Sequence, residues 1–245
     1  MPAHFTPEAL KFLRGLARNN DREWFDPRKA IFEREIKEPM LALIGEINDS
    51  LIDFAPDHVR DPRKAMFRIY RDTRFAADKR PYKDHVAAWW VRHGMEKTSG
   101  AGFYFHVSAK EVVIAAGAYM PTGDQLLAIR RHIEKHHKEF RALLANRKLK
   151  SAMHEFEAPT MKRVPRGFSP ESPAADLIMT TRWGASATLP ADIATKPGLL
   201  KEINKRFALA APMIHFLNAG ILAGVPTAKP QLLRAKFAAS EPLPE

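Results

Sequence analysis

The stretch GFYFHVSAKEVVIAAGAYM, residues 102–120, contains the clearest strand pattern in the sequence. Apolar and polar residues alternate over its first half, with Phe103, Phe105 and Val107 on one face, which is the two-residue period of a half-buried strand. A second apolar run follows after a short turn, so the stretch predicts an antiparallel hairpin. The preceding segment HVAAWWVRH predicts a third strand, and its adjacent tryptophans point to opposite faces, which must both be covered.

Helical patterns lie on both sides of these strands. Thr6-Pro7-Glu8 combines a hydroxyl N-cap, a first-turn proline and an acid that complements the helix dipole. Asp21 and Gly123-Asp124 are predicted to cap further helices, and another helix is predicted to begin near Glu38-Pro39. The run APDHVRDPRK and the Pro-rich residues 145–175 predict irregular structure, whereas TTRWGASATL predicts another strand.

The order of these patterns predicts the fold class and the domain limits. Helices come first, then an antiparallel meander, then helices again, which is typical of an α+β domain with a sheet flanked by N-terminal and C-terminal helices. We expect a single domain over residues 1–225 and a C-terminal extension over residues 226–245. Strands and helices do not alternate, which disfavours a doubly wound parallel sheet.

Composition excludes several chemistries. The 245 residues include no cysteine, so disulfides, thiolate nucleophiles, iron–sulfur clusters and Cys-ligated zinc are impossible. The sequence contains no Gly-rich phosphate loop, no Gly-x-Ser-x-Gly elbow and no dinucleotide fingerprint. We therefore expect no cofactor and, from the absence of a secretory signal pattern at the start, a cytoplasmic protein.

One uncharged segment tests whether the chain enters a membrane. The residues between Arg206 and Lys229 carry no formal charge and are long enough to span a bilayer. Pro212 and several polar or glycine residues interrupt the segment, and a proline removes a helical hydrogen bond and kinks the helix. The prediction is a buried core helix and no membrane partner.

The net charge of +11 is concentrated in two regions. Residues 61–85 contain eight Lys or Arg and four Asp or Glu, and residues 126–170 contain eleven and four. The densest part is RIYRDTRFAADKRPYKDH, residues 68–85. Clustered positive charge attracts phosphates, nucleic acid or acidic ligands, although it can also serve solubility alone.

The interpretation of this stretch depends on the position predicted for Arg71. In an extended chain it shares a face with Phe67, Ile69 and Phe75, and the apolar members favour the core side. A buried guanidinium requires a carboxylate or an anionic ligand as partner. Two readings follow: an internal ion-pair network, or a phosphate- or carboxylate-binding site. The candidate ligand-binding residues are Arg68, Arg71, Arg74, Lys79, Tyr82 and Lys83.

A third hypothesis is that the protein is an enzyme. General acid–base chemistry on a phosphorylated or acidic substrate would need a titratable group near the cations, and Asp72 and His106 are the catalytic candidates, with His85 as another option. If the charged stretch lies beside the sheet, then Arg71, Asp72, Tyr82 and His106 could line one pocket. The residues leave reaction type, substrate and oligomeric state undetermined.

Two further hypotheses have weaker support. Residues 147–166 are basic with interspersed aromatics, so this segment and residues 68–83 could together bind single-stranded nucleic acid. His132 and His136 lie four apart on a predicted helix, which is a metal-ligand spacing, but no third ligand is evident and no metal site is predicted.

Four segments carry a resemblance to a known family. FLRGLARNNDREWFDPRKAIFE, RIYRDTRFAADKRPYK, GAYMPTGDQLLAIR and VPRGF are similar to segments of the family called domain of unknown function 2461, found in bacteria and fungi. The similarity runs from about Phe5 to Asn218. Where the family pattern has Asp-His-Pro, this chain has Glu171-Ser172-Pro173. The resemblance implies a soluble domain with residues 68–83 as a unit, and it implies no mechanism.

Overall fold

The computed structural model describes residues 4–95 and 99–224. In this part of the chain the helices are α1 (Pro7–Arg18), α2 (Arg22–Phe25), α3 (Lys29–Phe32), α4 (Glu38–Phe54), α5 (Pro62–Ala65), α6 (Gly123–Leu144), α7 (Arg147–Ala152), α8 (Ala175–Ile178) and α9 (Leu199–Gly224). The strands are β1 (His85–Val91), β2 (Gly102–Ser108), β3 (Glu111–Ala118), β4 (Glu155–Glu157) and β5 (Trp183–Pro190). The C-terminal extension predicted at residues 226–245 lies outside the described residues.

The strands form one antiparallel sheet in the order β1-β2-β3-β5-β4. The predicted hairpin is confirmed, with Phe105 of β2 opposite Ile114 of β3 and Ala88 of β1. β5 pairs with β3 along its whole length, and the short β4 pairs with β5 at the edge. The structure is therefore an α+β fold with an antiparallel sheet and flanking helices, as the sequence patterns predicted.

The two faces of the sheet have different surroundings. Phe103, Phe105 and Val107 are fully buried on the face that packs against α9, and the Phe54 ring of α4 meets the Phe103 ring there. Trp90 joins this core, where its ring meets Phe207 and its indole N–H donates to Asn48 over 3.0 Å. Trp89 points to the other face and is only 6% exposed, so both tryptophans are covered as predicted.

Residues 207–224 of the long uncharged segment form the C-terminal part of α9. By length and composition α9 could cross a membrane, but 56% of its most apolar window is buried inside the protein. It packs against α6, the sheet and α4. Pro212 lies inside the helix, and α9 continues through it to Gly224. The helix has the packing of a core helix, because its apolar side chains meet other elements of this chain.

Several predicted boundaries were wrong. α6 is capped by Thr122, whose side chain accepts from Gln125 N–H while the Gln125 side chain accepts from Thr122 N–H, so the cap precedes the predicted Gly123-Asp124. The run APDHVRDPRK contains a 3₁₀ turn and α5, and residues 145–175 contain α7 and β4. Short elements of this kind lack a periodic apolar pattern, and tertiary contacts hold them instead.

The N-terminal helices contain a widened turn. Residues Glu33–Lys37 form a π-helical turn in which Glu38 N–H donates to the carbonyl of Glu33. Pro39 has no N–H for the carbonyl of Glu35, and its ring would clash with that carbonyl in a regular α-helix. The proline therefore favours the wider turn, and π turns are frequent at functional sites.

Candidate functional site

Residues 68–83, hereafter the charged hairpin, form a two-armed loop. Tyr70 and Tyr82 face each other in an antiparallel bridge, Arg71 N–H donates to Pro81 over 2.9 Å, and Lys83 N–H donates to Ile69 over 2.8 Å. Asn20 fastens the loop to the N-terminal helices, because its side-chain amide exchanges two hydrogen bonds of 3.0 Å with the backbone of Tyr82. The loop is thus a unit, as the resemblance implied.

Acids inside the charged hairpin pair with three of its arginines. Asp78 accepts from Arg71 and from Arg80, each over 2.7 Å, and Asp72 accepts two bonds from the guanidinium of Arg74, of 3.0 and 2.7 Å. The Arg71 side chain is 26% exposed, so it is half-buried and has the carboxylate partner that its position requires. This geometry is that of the internal ion-pair network.

The alternation of inward and outward side chains that was predicted for this segment is present only at its start. Ile69 is buried and Arg71 is half-buried, but Phe75 is 95% exposed at the tip. The strand alternation ends there because the chain turns back toward Tyr82. The prediction that Phe75 shares a face with the core residues was wrong.

The two candidate lysines of the hairpin contact backbone carbonyls. Lys79 donates to Thr73 over 3.0 Å, and Lys83 donates to Arg68 over 3.0 Å. Burial lowers the pKa of Lys83, and the charge of Arg68 lowers it further. Among the described residues no side-chain ion pair reaches Arg68, so its guanidinium differs from those of Arg71 and Arg74.

The remaining candidate residues have different environments. The Tyr82 ring is 2% exposed and stacks on Phe25 with 4.1 Å between ring centroids, so the structure places it in the core. Hydrogen bonds from Arg74 lower the pKa of Asp72 to about 2, which leaves its carboxylate a weak base. His106 lies on the open face of the sheet, with Nδ1 3.0 Å from the Tyr104 hydroxyl, and burial lowers its pKa to about 4.

The shared role of Asp78 leads to a local prediction. Because one carboxylate holds both Arg71 and Arg80, Asp78→Asn should loosen the tip and speed tryptic cleavage after Arg74 and after Lys79 severalfold. The melting temperature should change by less than about 2 °C, since exposed ion pairs contribute little to global stability. Cleavage products are followed by mass spectrometry.

The matched control for this test is Asp53→Asn, an exposed acid of α4. It should leave the rate of cleavage in the hairpin unchanged. A tip that resists trypsin equally in both variants would show that the ion pairs of Asp78 do not order the loop.

A cleft of about 600 Å³ lies between the N-terminal helices and the first arm of the charged hairpin. Its cationic residues are Lys29, Lys37, Arg63 and Arg68, and we call it the cationic cleft. Its other lining residues are Phe25, Phe32, Glu33, Glu38, Leu41, Met66, Phe67, Ile69 and Tyr70. The arrangement is an apolar surface bordered by four cations and two acids.

Three of the four cations that line the cationic cleft form no ion pair in the described structure, and the acids Glu33 and Glu38 share the lining. Lys37 pairs with Glu33 over 2.6 Å. In the described part of the chain Lys29, Arg63 and Arg68 form no ion pair. Of these residues the sequence interpretation identified only Arg68. The spacing of Lys29, Glu33 and Lys37 at every fourth position, one face of a helix, was a signal for Lys29 and Lys37, whereas no pattern in the sequence pointed to Arg63.

A second cavity, of about 530 Å³, lies on the open face of the sheet. His106 lines it together with Tyr104 and Trp89, but Arg71, Asp72 and Tyr82 are not among its lining residues. The structure therefore does not bring the four residues of the proposed pocket together. The cause is the direction of the hairpin, which folds toward the N-terminal helices.

Metal ligation finds no support in the described residues. No group of three His, Asp or Glu side chains there is arranged to hold a metal ion. The rings of His132 and His136 lie 4.6 Å apart, and the His132 ring packs 4.5 Å from that of Phe216. Burial lowers the pKa of His132.

The chain was compared with known proteins. The profile of the family described as "Conserved hypothetical protein (DUF2461)" matches residues 8–216. A comparison with curated proteins finds no match. Because the family match includes the charged hairpin, the cationic cleft and all five strands, this chain belongs to the DUF2461 family, as its sequence motifs indicated.

Proposed function

We propose that this protein binds an anionic ligand in the cationic cleft. The observation that carries the proposal is that three cations, Lys29, Arg63 and Arg68, line one cleft and form no ion pair among the described residues, although the charge of Arg68 also acts on Asp72. Positive groups brought together in this way repel one another, and an anion would relieve that repulsion. The site differs from the predicted one, because the other arginines of the hairpin already have partners.

The lining of the cleft also indicates the class of ligand. Arginine presents a planar fork of donors that fits phosphate and carboxylate groups, and lysine adds a point charge. Phe32, Leu41 and Ile69 supply apolar surface beside these donors. The ligand that satisfies both parts carries a phosphate or carboxylate on an apolar or aromatic body.

Binding is better supported than catalysis. Neither Asp72 nor His106 lines the cationic cleft. Glu33, one of the two acids that do, is held by Lys37. The nucleic-acid hypothesis requires a groove that joins the cations of residues 68–83 to those of residues 147–166, and no cation of the second segment lines either cavity described above.

The proposal is tested by calorimetry and thermal shift with phenyl phosphate, benzoate, inorganic phosphate and a short oligonucleotide, each at low and high salt. We expect phenyl phosphate to raise the melting temperature of the wild type, and inorganic phosphate to do so less. Arg68→Gln should weaken phenyl phosphate binding about tenfold, because a charge-assisted hydrogen bond is lost.

The control is Arg131→Gln, which removes an exposed arginine of α6 that does not line the cleft. It keeps the net charge equal to that of Arg68→Gln and should bind phenyl phosphate as the wild type does. Equal weakening in both variants, or no binding of any small anion, would contradict the proposal. Salt-sensitive stabilisation by the oligonucleotide alone would favour nucleic-acid binding instead.

A further inference from the structure

The cavity on the open face of the sheet, hereafter the sheet-face cavity, has a floor of small residues. Gly117 of β3 pairs there with Gly184 of β5. In the next row of the same face, Ala115 pairs with Ser186. All four residues line the cavity. Because alternate residues of a strand share one face of the sheet, these positions form a nearly flat floor on which a ligand can approach the backbone.

The fold itself explains the first of the two glycines. A Cβ on Gly117 would collide with the backbone of Trp183 on the neighbouring strand. Glycine allows backbones to approach more closely than any other residue does. The close packing of β3 against β5 therefore requires Gly117, and this residue says nothing about a ligand.

Gly184 has no such explanation. Its φ is not positive, and a Cβ added there would meet only the Cβ of Glu157, at an ordinary contact distance of 3.6 Å. A glycine inside a strand weakens the strand, because it loses more conformational entropy on folding and has no side chain to pack. Such a glycine often marks a place where a ligand approaches the backbone. Nothing in the described packing around Gly184 requires this residue.

A carboxylate lies beside this floor. Glu155 of β4 is the partner of Ser186 in the sheet register, so it is one strand from the floor and on the same face. Its Oε2 accepts from the Ser186 hydroxyl over 3.1 Å, and its Oε1 lies 3.9 Å from His154 Nε2, beyond hydrogen-bond distance. No lysine or arginine pairs with Glu155 among the described residues. Its side chain is 52% exposed, so its carboxylate can accept from a ligand on the floor.

The second acid of β4 already has a partner. Glu157 is opposite Gly184 in the register, and its carboxylate lies 3.1 Å from the Nε of Arg182. The guanidinium of Arg182 also lies over the Tyr119 ring, 4.8 Å from its centroid. Glu157 therefore belongs to an ion pair, which leaves Glu155 as the acid available to a ligand.

The Tyr104 side chain borders the floor on the side away from Glu155. Tyr104 is the partner of Ala115 in the register. Its backbone is thus three strand spacings, or about 14 Å, from that of Glu155. A small group that contacts Glu155 does not reach Tyr104. The floor between the two side chains is two strands wide, and a ring of purine size fits over it in a cavity of about 530 Å³.

We propose that the sheet-face cavity binds a planar aromatic ring that carries an amino group, with the ring over Gly184 and the amino group donating to Glu155. A flat ring fits because the floor there has no side chain, and an N–H donor forms a charge-assisted hydrogen bond with a carboxylate. The described lining contains two acids and no lysine or arginine, which disfavours an anionic ligand. This site goes beyond the proposed anion-binding function and lies in a different cavity.

The test compares 2-aminopurine with purine. Both are flat, uncharged rings of the same shape, and only the first carries an amino group. Calorimetry measures the binding of both compounds, and the fluorescence of 2-aminopurine reports its binding independently. We expect 2-aminopurine to bind with a dissociation constant of about 0.1–1 mM, and purine to bind at least fivefold more weakly because it lacks the charge-assisted hydrogen bond.

Gly184→Val separates binding from folding. The valine side chain would occupy the space above the floor, so 2-aminopurine binding should fall at least tenfold. The melting temperature should stay the same or rise, because valine favours strands and the added Cβ has room. Gly45→Val is the matched control, because it adds the same side chain to α4, outside the cavity, at a position where a Cβ meets nothing within 4 Å. It should bind 2-aminopurine as the wild type does.

A second pair of variants tests the carboxylate. Glu155→Gln should weaken 2-aminopurine binding about fivefold and leave purine binding unchanged, through loss of the charge on the acceptor. Glu134→Gln, which removes an exposed acid of α6 outside the cavity, should change neither. Equal affinity for 2-aminopurine and purine, equal affinity in the two glutamate variants, or wild-type binding by Gly184→Val would overturn the proposal. If Gly184→Val does not fold, the glutamate pair decides.

The two proposed sites are separable in the same experiments. Arg68→Gln should leave 2-aminopurine binding unchanged, and Glu155→Gln should leave phenyl phosphate binding unchanged. A failure of the phosphate test would therefore leave the sheet-face site standing, and the converse holds as well.

Discussion

Tyr82→Ala is expected to lower the free energy of unfolding by about 3–5 kcal/mol, the range for removal of a large buried aromatic side chain. The ring is 2% exposed and stacks on Phe25, and its removal would leave a cavity between the charged hairpin and the N-terminal helices. Urea denaturation followed by circular dichroism measures the change.

Tyr70→Ala is the matched comparison for this prediction. Tyr70 lies directly opposite Tyr82 in the same bridge, but it is 48% exposed. Its removal should cost about 1 kcal/mol, because much of its ring remains in water in the folded protein. Equal losses in the two variants would show that the stacking of Tyr82 on Phe25 does not anchor the hairpin.

Acidification is expected to destabilise the protein before its carboxylates titrate. Burial lowers the pKa of both His58 and His106 from 6.5 to about 4. The unfolded chain therefore binds more protons than the folded chain between these values, and stability falls as the pH drops from 6.5 to 4. Each histidine should contribute a loss of about 3 kcal/mol over this window.

Burial lowers the pKa of each histidine, and the neighbouring groups act in both directions. The His58 ring is 2% exposed; the Ala101 carbonyl at 3.3 Å and the charge of Asp57 raise its pKa, whereas the charges of His215 and Arg92 lower it. His106 faces His85, whose positive charge in acid would further oppose its protonation. Asp84 near His106 acts in the opposite sense, but burial is the largest cause at both sites.

The acid prediction is checked by urea unfolding across this pH range. His106→Gln should remove about half of the pH dependence, whereas His93→Gln, at an exposed position, should leave it unchanged. The ion-paired Asp72 titrates at a lower pH than this window, because its pKa in the folded protein is about 2, compared with an ordinary value of 3.8. A stability that stays constant from pH 6.5 to pH 4 would contradict the assignment of both histidines as buried and neutral.

The charged hairpin combines the two alternatives that the sequence left open. Arg71, Arg74 and Arg80 belong to an internal network with Asp72 and Asp78. Arg68, at the start of the same segment, belongs to the cationic cleft. The charges of Arg71, Arg74 and Arg80 therefore order the loop. We propose that the charge of Arg68 instead contributes to ligand binding.

Local patterns in the sequence determined most of the secondary structure. The alternation in β2, the apolar run of β3 and the hydroxyl cap of α1 each depend on residues that are close together in the chain, so period and capping chemistry were enough. The need of Arg71 for a partner also followed from its sequence position, since Phe67 and Ile69 indicated the core side. Family membership followed from motifs of the same local kind.

Only the tertiary structure decided which charges meet. Lys29, Arg63 and Arg68 are far apart in the sequence, and whether a cation finds an acid depends on which elements pack together. The same applies to Glu155 and Tyr104, which reach one cavity because β4 and β2 lie in the same sheet. The sequence determined the elements and the chemistry that they carry. Packing alone decided which of these groups lie together. Charges and aromatic rings interact through space over a few ångströms, whatever their separation along the chain.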